Sequence, residues 1–184
     1  MTLVVVVDYG AGNTRSVRAA LTRLGAQVEL SSDPGDILAA PCVVLPGVGS
    51  ARAAMDHLTT TGAANALRDR YAQGDALLGI CLGMQLAMES SEEDGGVTTL
   101  GLLQGRVKRI SSERIPRIGW ATVEPWNETF FFAHSYACDS PCTTAFSEGV
   151  SAAVQEGSFT GVQFHPEKSG GAGSRWLASC LSLV

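Results

Sequence analysis

Residues 76–85 read Ala76-Leu77-Leu78-Gly79-Ile80-Cys81-Leu82-Gly83-Met84-Gln85. The apolar run Ala76–Ile80 predicts a strand buried on both faces, as in parallel sheets. A cysteine between two glycines follows, and Gln85–Met88 reads as helical. A strand–Gly–Cys–Gly–helix passage has the geometry of a nucleophile elbow, in which a strained turn exposes one reactive atom and only small neighbours fit. Cys81 would face the positive end of the helix dipole, and the Leu82 N–H would point at an oxyanion on an attacked carbonyl. A lone buried cysteine is more often plain packing. The turn around Cys81 makes it a candidate nucleophile.

Upstream, Leu3–Val7, Gln27–Leu30 and Cys42–Leu45 read as further strands. Between them lie helical patterns through Val17, Leu21 and Leu24 (stopped by Gly25), through Met55 and Leu58, and over Leu67–Tyr71. Strand–helix alternation at this pitch predicts an α/β fold with an open, mostly parallel, doubly wound sheet and helices on both faces. Downstream, Gly105–Ile110, Trp120–Val123, Thr129–Cys138, Ala152–Gln155 and Gly161–Phe164 are β-rich. They are expected to form an antiparallel β extension continuous with the core sheet, closed by a helix over Ser174–Leu181. No repeat or linker interrupts the chain, so residues 1–184 are expected to form one domain.

Composition narrows the function. The chain has 184 residues, a net charge of −5, 17% charged residues and 21 glycines. An average globular chain has about 25% charged residues and about 7% glycine. This chain is too apolar for disorder and has no collagen-like period. An acidic balance without a basic cluster argues against nucleic acid and anionic membranes as partners. The N-terminus lacks a cationic leader, no stretch approaches the ~20 apolar residues of a membrane span, and five scattered cysteines suit reduced thiols; a cytoplasmic protein is expected. His134, Cys138 and Cys142 fit no zinc spacing, so neither metal nor cofactor is expected.

A cysteine nucleophile needs a base, and the base needs an orienting group. Of three histidines, His57 lies among polar helical residues and His134 follows a phenylalanine run as a core or site-lining residue. His165 stands in Gly161-Val162-Gln163-Phe164-His165-Pro166-Glu167, at the end of an apolar strand. Pro166 biases His165 to extended backbone, where residue i+2 projects to the same side. Glu167 would then hold one imidazole nitrogen while the other faces the thiol. Cys81, His165 and Glu167 thus form a candidate triad at the C-terminal edge of the sheet, where open α/β folds bind ligands. Two glycine-rich turns follow core strands, Asp8–Asn13 and Pro46-Gly47-Val48-Gly49-Ser50. Beside an elbow, the second suits an oxyanion hole with Val48 and Gly49.

Over nearly its whole length the chain resembles class I glutamine amidotransferases. GICLGMQ around Cys81 and GVQFHPEKS around His165 and Glu167 carry the resemblance to the superfamily. DYGAGNTRSVRAAL, LPGVGS and GVQFHPEKSG narrow it to glutaminase subunits of imidazole glycerol phosphate synthase, and PRIGW (116–120) and FAHSY (132–136) match further segments. The resemblance implies that Cys81 attacks the glutamine side-chain amide, that His165 shuttles protons, and that Glu167 orients His165. It implies a glutamyl thioester, oxyanion donors at Leu82, Val48 and Gly49, and glutamine held by Gln85, Ser135 and Tyr136. It further implies a heterodimer with a cyclase subunit, a (β/α)₈ barrel that receives the ammonia in histidine biosynthesis, with Asn13, Trp120 and Lys168 at the interface. The sequence departs from the family pattern at Arg117 (usually His), Ala121 (usually Asn) and Ala51 (usually bulky), and it is clipped between Trp120 and His134. Other readings are a sister amidotransferase, a non-catalytic subunit on the same fold, or another cysteine hydrolase. The loops, the complete triad and the glutamate after the histidine, respectively, argue against them.

Overall fold

Strand β1 (Leu3–Val7) is a leucine followed by four valines, and its side chains alternate between two apolar layers. The computed structural model describes residues 2–10, 13–112 and 114–182. Around β1 a seven-stranded sheet also contains β2 (Gln27–Ser31), β3 (Cys42–Leu45), β4 (Leu77–Ile80), β11 (Thr143–Ser147), β12 (Val150–Glu156) and β13 (Phe159–Val162). The order is β11-β12-β13-β4-β3-β1-β2. Pairs from β13 through β2 are parallel, while β11 and β12 add antiparallel strands at one edge.

Helices cover both faces because successive core residues point opposite ways. Val5, Val7, Val43 and Leu45 pack against α2 (Pro34–Ala39), α3 (Ala51–Thr60), α4 (Ala63–Gln73) and α5 (Leu82–Leu86). Val4, Val6, Cys42, Val44 and Ile80 pack against α1 (Thr14–Arg23) and α6 (Gly170–Leu181). This two-sided burial is why the strands read as unbroken apolar runs. In α4, Arg70 is fully buried and donates to the carbonyls of Ile37, Pro41 and Ala76 at 2.9–3.0 Å, tying α2 and the loop after it to the start of β4.

The second half differs from the expectation of one continuous extension. Only β11, β12 and β13 continue the core sheet. β8 (Arg117–Val123) and β9 (Glu128–His134) form a separate two-stranded ribbon. β5 (Ser90–Ser91), β6 (Val97–Thr98), β7 (Arg106–Arg109) and β10 (Tyr136–Asp139) form a four-stranded sheet. The expected strand Thr129–Cys138 is therefore two strands, broken at Ser135 where the chain passes from one sheet to the other. The ribbon lies on the core through Phe130, Phe132 and Phe164; Phe130 and Phe164 stack with centroids 4.0 Å apart. Helix α5 begins at Leu82 and ends at Leu86, earlier than expected. Helix α6 starts at Gly170, four residues before its expected start. A Cβ on Gly173 would stand 1.9 Å from the Pro166 carbonyl oxygen, so glycine there lets α6 press against the turn Pro166–Lys168. Of the turn Asp8–Asn13, Ala11 and Gly12 lie outside the described residues.

Candidate active site

Cys81 joins β4 to α5 with φ 50° and ψ −105°, a left-handed conformation for a residue with a side chain. Such backbone costs on the order of 1–3 kcal/mol and persists only where its surroundings hold it. Here the Cys81 N–H donates to the Val162 carbonyl at 2.7 Å. Neighbouring chain is pressed close on either side. A Cβ on Gly47 would lie 1.9 Å from the Ile80 carbonyl oxygen and 2.7 Å from Cys81 Cβ, and one on Gly83 would lie 2.1 Å from the Leu45 carbonyl oxygen. The loop after β3 and the elbow after β4 are thus packed backbone to backbone.

His165 follows β13, and its backbone is held in place by a neighbouring strand. Its N–H donates to the Phe131 carbonyl at 2.8 Å, while Ser169 Oγ donates to the His165 carbonyl at 2.6 Å and accepts from the Phe131 N–H. His165 is extended (φ −100°, ψ 94°), as the following proline dictates. Glu167 is not in an extended segment but in a 3₁₀ turn, Pro166–Lys168. The contact arises by that turn instead: His165 Nδ1 lies 2.9 Å from Glu167 Oε1, with both side chains almost fully buried. Burial disfavours the imidazolium, but side-chain hydrogen bonds and charge attraction from Cys81 and Glu167 outweigh it and push His165 up to about 9. Cys81, His165 and Glu167 thus stand together past the ends of β4 and β13, which are hydrogen-bonded neighbours.

A cleft of about 270 Å³ opens over Cys81, lined by Gly47, Val48, Gly49, Leu82, Gln85, Glu93, Pro116 and Ala133–Tyr136. Every residue expected around the substrate borders it. Gln85 spends its amide donors on the Tyr136 carbonyl (2.8 Å) and Gln163 Oε1 (3.0 Å). The three interface candidates lie elsewhere. Trp120 and Lys168 are exposed, Trp120 to 58%, whereas Asn13 turns its amide inward to Glu167. A larger groove of about 510 Å³ sits at the start of β4 beside Trp126 and Trp176, but no histidine lines it.

Glu93, Gln163 and Tyr9 escaped the sequence reading, whereas His134, read there as core or site-lining, does border the cleft. Glu93 is the one carboxylate lining the cleft; its Oε2 accepts from the Ala51 N–H at 2.8 Å, and burial is the main cause of its raised pKa. Gln163, fully buried, donates to Cys81 Sγ at 3.4 Å. Tyr9 donates its hydroxyl to the Pro46 carbonyl, and burial with the nearby Cys81 charge holds it far above the usual phenol range. His134 donates Nδ1–H to the Tyr136 carbonyl (2.9 Å) if protonated there, and burial lowers it to about 4, so it stays neutral. Glu93 stands in a short turn, Glu93–Gly95, in a run of three acidic residues that nothing in the sequence ties to Cys81. Gln163 lies inside the segment read as a strand, and its polarity in an apolar run was the available clue. Arg117, where the resemblance gives His, caps the Phe132 ring at 4.5 Å and pairs with Glu148 at 3.0 Å. Among the described residues, no three or more His, Cys, Asp or Glu are grouped to hold a metal ion. No helix among them is long and apolar enough to cross a membrane.

This arrangement provides a cysteine sulfur, a charged imidazole and a buried carboxylate beside a small cleft. The glutamine amidotransferase class-I family matches residues 5–182. The HisH subunit of imidazole glycerol phosphate synthase from Moorella thermoacetica is 41% identical, with 98% of this chain and 95% of that protein covered. Its counterpart from Symbiobacterium thermophilum is also 41% identical, over 100% of this chain and 95% of that one. The chain belongs to the HisH family of class I glutamine amidotransferases. A solved glutamine amidotransferase shares the fold with a TM-score of 0.83 at 21% identity, each chain being covered to 97%. In this member of the HisH family, the loop through Gly47–Gly49 and the Cys81 elbow form adjoining walls of one cleft.

Proposed function

We propose that the chain, as a single glutaminase domain, hydrolyses glutamine and passes the ammonia to a cyclase subunit, a (β/α)₈ barrel, for imidazole glycerol phosphate synthesis in histidine biosynthesis. The observation that carries this is the buried set of Cys81, His165 and Glu167 opening on the cleft. With its proton transferred to His165, Cys81 Sγ attacks the side-chain amide carbon as the thiolate, and the amide π electrons move to its oxygen. On collapse the C–N bond breaks, His165 gives its proton to the leaving nitrogen, and ammonia departs from a glutamyl thioester. Water then attacks the thioester, His165 takes its proton, and the C–S bond breaks to release glutamate and restore Cys81. Glu167 keeps the ring oriented and balances its charge.

The first N–H groups of a helix lack intrahelical partners, so the Leu82 N–H is available to the oxyanion, together with the Val48–Gly49 loop. Gly49 has φ 111°, a backbone freedom a side chain would strain. Glutamine's α-ammonium is assigned to Glu93, its α-carboxylate to Ser135 and Tyr136, with Gln85 fixing Tyr136. Ammonia in neutral water is mostly protonated and no longer nucleophilic, which favours direct delivery. The outer face of β8 presents Ile118 (65% exposed) and Trp120 to such a partner, with Lys168 nearby in sequence to His165. Free cysteines throughout suit the cytoplasm.

The test is Cys81→Ala in complex with a cyclase subunit. Glutamine-dependent synthesis should vanish while added ammonium salts still support the cyclase reaction. Retained glutamine dependence would overturn the assignment.

A further inference from the structure

We infer that Asn13 is a positioning residue for the Glu167–His165 pair rather than solely a contact for a partner subunit; this rests on the glutaminase reading above. Asn13 occupies the N-cap position of α1, where asparagine ordinarily accepts from a backbone N–H of the first turn. Its side chain makes no such bond. Instead Nδ2 donates to Glu167 Oε1, the same oxygen that faces His165 Nδ1. The helix thus forgoes its cap in favour of the carboxylate.

Glu167 needs that donor. Its side chain is fully buried and its other oxygen, Oε2, has no partner among the described residues. A buried carboxylate is costly unless hydrogen-bonded, and among the described residues the imidazole and the Asn13 amide are the groups that hold it. Without the amide, the carboxylate can rotate about its last bond and present either oxygen to His165. The chemistry of the donor also fits. A lysine or arginine at position 13 would neutralise Glu167 and weaken its hold on the imidazolium. A neutral amide fixes the oxygen and leaves its charge directed at His165, at every working pH. The same bond ties the segment before α1, which follows β1, to the turn that follows β13, two loops at the same edge of the sheet.

Asn13→Ser separates positioning from capping, since serine caps well but is too short to reach Glu167. In the saturated complex with the cyclase, Asn13→Ser should lower the glutaminase kcat about tenfold with KM for glutamine within twofold, and Asn13→Gln, which keeps an amide donor, should recover part of the loss. In the isolated subunit, the His165 ring followed by NMR should titrate at lower pH in Asn13→Ser than in the wild type; the other titratable groups around it, Cys81, Glu167 and His134, are unchanged. Unchanged kcat and an unchanged His165 midpoint would overturn the inference. So would a loss confined to cyclase affinity, which would leave Asn13 an interface residue only. If the wild-type complex itself shows no glutaminase activity, the functional reading fails, while the His165 titration still decides whether Asn13 positions the pair.

Discussion

Replacing Gly47 by alanine adds one carbon where the structure has no room for it. The new Cβ would sit 1.9 Å from the Ile80 carbonyl oxygen, 2.6 Å from its carbon and 2.7 Å from Cys81 Cβ. Carbon atoms of this kind do not approach closer than 3.0 Å, so the loop and the elbow must separate by about 1 Å. Neither side yields cheaply: one is the backbone of β4, the other a loop pinned by the Tyr9 hydroxyl on the Pro46 carbonyl. A misplacement of about 1 Å costs on the order of 100-fold in rate, or about 2.7 kcal/mol in the barrier. Overpacking costs on the order of 1–3 kcal/mol in stability. The assay is kcat for glutamine hydrolysis in the cyclase complex, with thermal unfolding in parallel. Gly74→Ala serves as the control: it has φ 83° and nothing within 4 Å, so it should cost about 1 kcal/mol of stability and no activity. A Gly47→Ala protein with kcat within twofold of wild type would refute the reasoning, because the loop would then have room to spare.

Two histidines should give the isolated subunit opposite pH responses. His165 is raised from 6.5 to about 9, so its stabilisation is complete below pH 6.5 and is lost as pH rises through 9; Cys81→Ala, which removes one cause of the rise, should flatten that loss in thermal melts between pH 6 and 10. His134 is lowered to about 4, so the unfolded chain binds the extra proton and stability falls from pH 6.5 towards 4; His134→Asn should reduce that acid loss, seen as a smaller difference between urea midpoints at pH 7 and 4.5. Arg70→Met should lower unfolding free energy by about 1–3 kcal/mol by orphaning the buried Ile37 carbonyl and losing the bonds to Pro41 and Ala76, with kcat of the folded fraction unchanged; Arg70→Lys should not rescue it, because an ammonium lacks the guanidinium fork. Gln163→Leu removes the donor to Cys81 Sγ and the acceptor for Gln85, and should cut kcat by about tenfold in steady-state assays.

The parallel core was legible because burial on both faces writes itself as unbroken apolar runs: Leu3–Val7 and Cys42–Leu45 match their strands residue for residue. The elbow was legible because only glycine fits beside Cys81. Helix α2 was not read although its signal was present: Asp33 accepts from the Gly35 and Asp36 N–H groups, with Pro34 at the first helical position. Six residues are too few for a periodic pattern to stand out. Strand β11 was missed because it is an outer edge strand with a polar face, Thr143-Thr144-Ala145-Phe146-Ser147. The break at Ser135 depends on which sheet each half joins, and period-two alternation carries no such information. The His165–Glu167 pair was anticipated through extended backbone and is brought together by a 3₁₀ turn, another local route to the same contact. Asn13 and Glu93 act across long sequence separations, Asn13 through a bond to a residue 154 positions away. No local pattern encodes such pairs.

The central claim is that Cys81 carries the glutamyl group. Acid quenching of the complex during turnover with glutamine, followed by peptide mass spectrometry, tests it directly. The account predicts a glutamyl adduct on the peptide containing Cys81 and on none containing Cys42, Cys138, Cys142 or Cys180. An adduct on one of those, or turnover with no adduct on Cys81, would contradict it.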